Sequence, residues 1–257
     1  MIRARGIGYR IGEKEILRGI DLHIEQGGFY GVIGPNGSGK STLLKLLSGL
    51  EAPAAGEVLL EGKRIREYGR KEMARIVAVL QQEAIPALGF TVREVVEMGR
   101  YPYQGWLGGE DGDPDALIGA VMKRLDLERY AGRQIGELSG GERQRAALAK
   151  TMVQEPRVLL LDEPTTFLDI GFQIQMMDYV RDWRRENGLT AVAVLHDLNL
   201  AAQYCDRLIV LNAGRVVAEG TPDEVLTPRL VRDVYGTDPI VLAHPDSGVP
   251  QILLRGR

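Results

Sequence analysis

The 257-residue sequence predicts an α/β fold with a parallel core sheet. Short runs that are apolar on both alternating faces recur along the chain, and segments with a helical pattern separate them. Such runs are typical of strands that helices cover on both sides. A glycine-rich turn also follows the first of these strands and precedes a helix. The runs predicted as sheet strands are residues 29–33, 76–80, 158–161, 191–195 and 208–211.

The segments that flank the first strand have recognisable patterns of their own. Residues 2–24 alternate weakly and predict antiparallel strands with a turn near Gly12 and Glu13. The helix after the glycine-rich turn should end near Gly49. Its apolar face is predicted to carry Leu43, Leu44, Leu47 and Leu50.

The chain is predicted to be one domain with an inserted subdomain. Residues 83–156 lack a strand run and predict a helical subdomain inserted into a core of residues 1–82 and 157–257. Towards the end of the chain, residues 240–243 and 251–254 predict a hairpin around a turn.

Composition and charge exclude several classes of function. The formal net charge of −3 gives no electrostatic case for a nucleic-acid partner. A lone cysteine, Cys205, excludes an intramolecular disulfide framework and is expected to be a small core side chain. No stretch reaches the roughly 20 apolar residues of a membrane span, and the first residues do not resemble a signal peptide. We therefore expect a cytosolic protein that needs another chain to act on a membrane.

The segment between the strand 29–33 and the next helix matches the P-loop pattern in full. Its glycines let successive backbone N–H groups point at phosphate oxygens, and the helix adds the positive end of its dipole. We expect Lys40 to reach the β- and γ-phosphates of ATP and the Ser41 hydroxyl to bind Mg²⁺. The predicted nucleotide-binding residues are Gly34, Asn36, Gly37, Ser38, Gly39, Lys40, Ser41 and Thr42.

An acidic pair, Asp162 and Glu163, further limits which class of nucleotide-binding protein the sequence can belong to. The strand 158–161 delivers Asp162 at its carboxyl end, where this carboxylate can hold Mg²⁺. Glu163 follows it and is placed to polarise the attacking water. Next to a P-loop, an acidic pair that merely ends a strand in solvent is the weaker interpretation.

The segment Leu138-Ser139-Gly140-Gly141-Glu142-Arg143-Gln144-Arg145 resembles the signature motif of the ABC ATPase family. Ser139 would cap a helix, and Gly140 and Gly141 would leave its first N–H groups uncovered. This is a second anion site in a chain that needs only one for ATP. We therefore expect the segment to complete the site of a second copy of the chain, in an ATP-sandwich homodimer.

The resemblance to ABC ATPases extends over almost the whole chain and implies further roles. Gln82 matches the glutamine that contacts Mg²⁺ near the membrane partner, although the adjacent Gln81 leaves this register open by one. Asp169 matches an aspartate that crosses the dimer interface, and His196 matches the switch histidine of the γ-phosphate. Tyr9 resembles the aromatic side chain that stacks on adenine, with a core tyrosine as the alternative.

The same resemblance implies a transport function. We expect an ATP-hydrolysing subunit that uses ATP and Mg²⁺ on the cytoplasmic face of the membrane. Its partners would be integral-membrane permease subunits and, indirectly, a substrate-binding protein. Three stretches resemble ATPases of siderophore, haem and vitamin B12 importers, and we favour an iron chelate, with haem and cobalamin as alternatives. These stretches are residues 91–96 leading to 99–103, residues 196–202, and residues 220–226 followed by 234–236.

Other functions within and beyond this family fit the sequence less well. ABC ATPases of chromosome maintenance and DNA repair carry long coiled-coil insertions, and ribosome-associated members usually fuse two cassettes. An exporter ATPase or a polar amino acid importer is a closer rival. A degenerate cassette that binds ATP without hydrolysing it is unlike this sequence, which has Lys40, Asp162, Glu163, Ser139 and His196.

Overall fold

A computed structural model describes residues 1–81, 89–105, 109–110 and 113–255 of the protein. The chain divides into two compact units. Unit 1 consists of Met1–Glu67 and Thr190–Arg257, and unit 2 consists of Tyr68–Leu189. Unit 2 thus includes strands and helices on both sides of the range 83–156, whose boundaries as a helical subdomain stay a prediction.

Strands and helices alternate along most of the chain. The strands are β1 (Ile2–Ile11), β2 (Lys14–Ile24), β3 (Phe29–Ile33), β4 (Ala55–Leu60), β5 (Lys63–Arg64), β6 (Val77–Leu80), β7 (Val158–Asp162), β8 (Thr190–Val194), β9 (Arg207–Asn212), β10 (Arg215–Gly220), β11 (Pro239–Ala243) and β12 (Pro250–Leu254). The α-helices are α1 (Lys40–Leu47), α2 (Arg70–Ile76), α3 (Val92–Glu97), α4 (Pro114–Arg124), α5 (Gly140–Met152), α6 (Ile170–Asn187), α7 (Leu198–Tyr204), α8 (Pro222–Val225) and α9 (Pro228–Tyr235). Short 3-10 turns lie at Ile65–Glu67, Met98–Tyr103, Glu128–Tyr130 and Ile135–Glu137.

Unit 1 begins with an antiparallel sheet in the strand order β2-β1-β4-β5. β1 and β2 pair from Ile2↔Ile24 to Ile11↔Lys14, which confirms the predicted antiparallel strands and their turn near Gly12. Gly12 has φ +59 at this turn, a conformation that glycine adopts without steric cost. Strands β4 and β5 were not foreseen, because the apolar run of β4 after Glu57 is only three residues long and β5 consists of two charged residues.

The core of unit 1 is a sheet in the order β10-β9-β3-β8. β3 pairs in parallel with both β8 and β9, and every residue of β3 and β8 is buried. This confirms the parallel core sheet predicted from runs that are apolar on both faces. Cys205 is buried beside Gly31 of β3, so its predicted role as a small core side chain is confirmed.

Unit 2 contains the parallel pair β6 and β7, with Val77↔Val158 through Leu80↔Leu161 in register. The prediction of a strand over residues 76–80 began one residue too early, since Ile76 is the last residue of α2 and β6 starts at Val77. The apolar side chain of Ile76 is buried at the helix end, which explains why the run extends beyond the strand.

The predicted face of α1 is wrong at its last leucine. The helix ends at Leu47, and Gly49 takes φ +72, which turns the chain away from the helical path. Leu50 is therefore 58% exposed, whereas Leu46 is fully buried. A helical pattern read beyond its terminating glycine thus assigned Leu50 to the wrong environment.

The 3-10 turn Met98–Tyr103 is held tightly against α5 of the same unit. A methyl group at Gly99 would lie 2.1 Å from the carbonyl oxygen of Lys150. The neighbouring Arg100 is buried and forms ion pairs with Glu110 and Glu155. Only a glycine allows this close backbone approach.

The hairpin predicted near the end of the chain is confirmed. β11 and β12 pair from Pro239↔Leu254 to Ala243↔Pro250, and the Gly248 N–H donates to the His244 carbonyl oxygen across the turn, at 2.8 Å. Across the described part of the chain, the helices are too short or too polar to cross a lipid bilayer.

We expect Gly99→Ala to lower the free energy of unfolding by about 2 kcal/mol or more, because the added methyl group overlaps a backbone carbonyl. Gly119→Ala, in the interior of α4, is the matched control. Apart from the adjacent backbone of α4, no described atom lies within 4 Å of a Cβ at that position, and alanine should stabilise the helix by up to about 1 kcal/mol. Thermal unfolding followed by circular dichroism measures the stability of both variants. Equal unfolding midpoints for Gly99→Ala and Gly119→Ala would contradict the close packing at Gly99.

Candidate functional site

The phosphate loop of unit 1 leaves the core sheet at the end of β3. Gly34 has φ +147, and a methyl group there would lie 1.9 Å from the Leu211 carbonyl oxygen on β9. Gly39 has φ +103 and precedes α1 without a side-chain cap. The loop therefore places no side-chain cap over the N-terminus of α1, and a helix start of this kind suits an anion.

The buried side chains of the loop are arranged for a phosphate ligand. The Lys40 Nζ donates to the carbonyl oxygens of Gly34 and Pro35, at 2.9 and 3.0 Å. The Ser38 hydroxyl is buried and has no hydrogen-bond partner among the described residues. A buried hydroxyl without a partner is costly, and a bound phosphate oxygen would satisfy it.

The other predicted loop residues lie at the surface or in the first turn of α1. Asn36 and Gly37 are exposed at the tip of the loop. Ser41 and Thr42 are half-buried in the first turn of α1. Their contacts with a nucleotide stay predictions.

The sheet register brings His196 to the edge from which the phosphate loop emerges. Val32 of β3 pairs with Val194 of β8, and the Leu195 N–H donates to the Val32 carbonyl oxygen at 3.2 Å. Gly34 and His196 are each two residues beyond this pair, at the carboxyl ends of neighbouring parallel strands. Ligands of α/β proteins bind at such edges. The His196 side chain is exposed there.

Two tyrosines of unit 1 are candidates for the site, and the sequence indicated only one of them. Tyr9, on β1, is half-buried, and burial together with a hydrogen bond to Glu51 raises the pKa of its phenol. Its stacking on adenine stays a prediction. Tyr235, at the end of α9, was not foreseen: burial raises the pKa of its phenol to about 12, and its hydroxyl contacts the Gly34 backbone. No sequence signal links residues so far apart.

In unit 2, the acidic pair emerges from β7 in an unusual backbone conformation. Asp162 ends the strand, and Glu163 takes φ +53, which costs a residue with a side chain of the order of 1–3 kcal/mol. The Thr166 hydroxyl donates to the Glu163 carboxylate at 3.1 Å. Strained backbone conformations of this kind cluster at functional sites.

The register of β6 and β7 also determines where Gln81, the residue after β6, lies. Leu80 pairs with Leu161, so Gln81 and Asp162 follow at the same edge of this pair of strands. Gln81 is exposed. The predicted Mg²⁺ ligand Gln82 lies outside the described residues, and its role stays a prediction.

The predicted signature segment forms a capped helix start. The Ser139 hydroxyl accepts from the Glu142 N–H, and the Ser139 N–H and hydroxyl donate to the Glu142 carboxylate at 2.8 Å. A Cβ at Gly140 would meet no described atom within 4 Å, whereas at Gly141 it would lie 3.0 Å from the Phe172 ring. The exposed N-terminus of α5 is thus open at Gly140 and tightly packed at Gly141.

Glu142 carries the strongest electrostatic shift in this segment. Hydrogen bonds from Tyr130 and then from Ser139 lower the pKa of its carboxyl from the ordinary 4.5 to about 2. The charged carboxylate therefore holds Ser139 in place at neutral pH. The sequence indicated the cap, but not the contribution of Tyr130.

Asp169 caps α6, because its Oδ1 accepts from the Phe172 N–H at 2.9 Å. The side chains of Phe167 and Ile170 on either side of it are 93% and 80% exposed. An exposed carboxylate between two exposed apolar residues is suited to an interface. Contact with a partner subunit stays a prediction.

Comparison with known proteins identifies a family match. The family model described as "ABC transporter" matches residues 17–166. The chain is 40% identical to the ferric enterobactin transport ATP-binding protein FepC of Escherichia coli K12, over 98% of this chain and 92% of FepC. It is equally similar to the hemin import ATP-binding protein HmuV of Bordetella avium, covering 99% of both proteins.

A third relative is longer than this chain. The uncharacterized ABC transporter ATP-binding protein YvrA of Bacillus subtilis is 40% identical over 99% of this chain, which spans 58% of YvrA. Among solved structures, the dimeric structure of the bacterial ABC transporter cassette MJ0796 matches with a TM-score of 0.75 and 30% identity, over 86% of this chain and 98% of that one. A post-hydrolysis dimer of the same cassette, bound to ADP and Pi, has a TM-score of 0.75 at 28% identity, over the same shares of both chains.

Glu142→Gln should lower the free energy of unfolding by about 1 kcal/mol at pH 7, because a charged hydrogen-bond acceptor at a helix start is lost. Since folding lowers the Glu142 pKa, this contribution is present above about pH 4.5 and is lost as the pH falls towards 2. Urea unfolding of both proteins from pH 7 to pH 3 measures the difference.

Tyr130→Phe is the control for this prediction, because it removes the largest cause of the shift. The Glu142 pKa, measured by NMR titration, should move back towards 4.5 in this variant. A pH-independent difference between wild type and Glu142→Gln would contradict the assigned charge effect.

Proposed function

The chain belongs to the ABC transporter family of ATPases, and on this premise we propose that it powers the import of an iron chelate through a separate permease. The phosphate loop carries the proposal. It combines glycines with positive φ, a start of α1 that has no side-chain cap, and the buried Ser38 hydroxyl, which lacks a hydrogen-bond partner among the described residues. This combination fits the phosphates of ATP.

The loop residues would bind the nucleotide by charge and by backbone hydrogen bonds. The N–H groups of the loop and of α1 donate to phosphate oxygens, and the Ser38 hydroxyl gains its missing partner. Lys40 holds its ammonium group against the loop carbonyls and would transfer some of these hydrogen bonds to the β- and γ-phosphates.

The predicted ligands of Mg²⁺ have suitable donor atoms. Ser41 offers a hydroxyl oxygen in the first turn of α1, and Asp162 offers a carboxylate at the end of β7. Mg²⁺ prefers oxygen ligands of this kind. When bound, the ion supplies positive charge that neutralises the phosphates in the transition state.

Hydrolysis requires a positioned water molecule. We assign Glu163 to orient this water for attack on the γ-phosphorus, while the bond to the β-phosphate oxygen breaks and ADP leaves. The backbone conformation of Glu163 and its hydrogen bond from Thr166 support this role, because they fix the carboxylate. His196 is assigned to the γ-phosphate, and Gln82 to the Mg²⁺ coordination.

A second copy of the chain is the proposed partner at the nucleotide. The open start of α5, from Ser139 to Gly141, would donate N–H groups to the γ-phosphate bound by the other copy. Asp169 and its exposed apolar neighbours would lie at this interface. The dimeric MJ0796 cassette supports the arrangement.

Permease subunits and, indirectly, a substrate-binding protein complete the proposed transporter. The ATPase would lie on the cytoplasmic face of the membrane as a peripheral subunit. The ferric enterobactin and hemin names of FepC and HmuV support iron-chelate or haem cargo, and cobalamin is a further candidate from the sequence resemblance.

We expect Glu163→Gln to bind ATP with wild-type affinity and to lose ATP hydrolysis by about 10²-fold or more, because the water is no longer oriented. Stable dimers should accumulate with ATP, as measured by size-exclusion chromatography with light scattering. Lys40→Ala is the companion variant and should lose ATP affinity instead. Wild-type turnover in Glu163→Gln would remove this residue from its assigned role.

Uptake by proteoliposomes that contain the subunit and its permease tests the cargo. Ferric siderophore, haem and cobalamin are compared, with ATP inside the vesicles. We expect ATP-driven uptake of a ferric siderophore that Glu163→Gln abolishes. Active hydrolysis without uptake of any of the three would overturn the cargo assignment.

A further inference from the structure

Asn199 of α7 makes a two-way hydrogen-bond exchange with the backbone of β12. The Ile252 N–H donates to the Asn199 Oδ1 at 2.7 Å, and the Asn199 Nδ2 donates to the Ile252 carbonyl oxygen at 3.3 Å. The side-chain amide thus makes both bonds that a residue of a neighbouring strand would make.

This exchange satisfies backbone hydrogen-bonding groups in the middle of β12, on the strand edge that faces away from β11. Ile252 is paired with Val241 across the hairpin, and its N–H and carbonyl groups point to Asn199, away from β11. The Ile252 side chain is buried. An isolated two-stranded hairpin is at best marginally stable, so this contact ties its position to that of α7.

The same contact fixes the segment that carries His196. On one side, the Leu195 N–H is bound to the Val32 carbonyl oxygen of β3. On the other side, Asp197 caps α7 by accepting from the Asn199 N–H at 2.7 Å. His196 therefore lies between an anchor on the core sheet and an anchor on the hairpin.

Helix α7 is only seven residues long, and this exchange adds to the contacts made by its buried side chains. Helices of this length have little stability of their own, and tertiary contacts determine where they lie. The Asn199 side chain is half-buried, so losing its partners would leave polar groups unsatisfied at this position.

A second contact connects the same part of the chain to the phosphate loop. Tyr235, the last residue of α9, contacts the Gly34 backbone through its hydroxyl. Gly236 ends α9 at φ +67, and Arg232 forms an ion pair with Asp238 across the turn before β11. Residues 228–254 therefore contact two parts of unit 1, the phosphate loop at Gly34 and helix α7 next to His196. The proposed function assigns the phosphate loop and His196 to the γ-phosphate.

We propose that residues 228–254 form a positioning clamp for these two elements, with Asn199 as the positioning residue for His196. The inference rests on the proposed function and adds a structural contact that affects the rate of ATP hydrolysis. Asn199 does not touch the nucleotide in this proposal. Its exchange with Ile252 restricts His196 to the orientation that the γ-phosphate requires.

The test compares Asn199→Leu with Gln251→Leu in the isolated, full-length subunit. Leucine keeps the branching and the number of side-chain heavy atoms of Asn199 but removes both hydrogen bonds to β12. Gln251 precedes Ile252 on the same strand, and among the described residues its side chain donates to the adjacent Pro250 carbonyl oxygen, so it is the matched control. The readouts are kcat and KM for Mg-ATP, and hydrogen exchange of the backbone amides of α7.

We expect Asn199→Leu to lower kcat about tenfold with an unchanged KM, because ATP still binds the phosphate loop while His196 is misplaced. Amide exchange in α7 should accelerate in Asn199→Leu and stay at the wild-type rate in Gln251→Leu. Asn199→Asp keeps the acceptor for the Ile252 N–H and should be intermediate in both readouts, which provides a second variant if the leucine variant does not fold.

Unchanged kcat in a folded Asn199→Leu protein, or an equal loss in Gln251→Leu, would overturn the clamp. A rise in KM equal to the loss in kcat would also overturn it, since that pattern reports general damage to binding. If the wild-type protein itself does not hydrolyse ATP, the proposed function fails, and hydrogen exchange still shows whether Asn199 anchors α7.

Discussion

The close approach of Gly34 to the Leu211 carbonyl oxygen is the constraint on which the phosphate loop depends. No side chain fits between β3 and β9 at this point, and the backbone of Gly34 adopts a left-handed φ. The parallel register of β3 with its two neighbours fixes where the loop begins. Ser38, whose side chain is buried, and the start of α1 follow within this loop.

Unit 2 uses a different device to fix its functional groups. Local hydrogen bonds hold each of them close to its own backbone: Thr166 binds Glu163, Glu142 binds Ser139, and Asp169 caps α6. Such short-range contacts keep polar groups defined at an exposed surface, where packing cannot do so. They also explain why the acidic pair tolerates the strained backbone of Glu163.

The hairpin adds a long-range contact to these local ones. In the proposed mechanism, His196 must respond to the γ-phosphate, so the segment that carries it cannot be part of the rigid core sheet. Asn199 and Ile252 would limit its movement without burying it. A histidine that is exposed but held on both sides combines access to a ligand with a defined position.

The sequence by itself determined the parallel strands, the phosphate loop, the acidic pair, the cap at Ser139 and the hairpin, because periodicity, glycine placement and capping are local signals. The helical pattern of the sequence wrongly predicted that Leu50 is buried. Strands β4, β5 and β10 were missed, because their apolar runs are too short or too polar to indicate a strand. Only the tertiary structure decided the contacts of Tyr130 with Glu142, Tyr235 with Gly34 and Asn199 with Ile252. These pairs are far apart or lack a periodic pattern, so the fold alone brings them together.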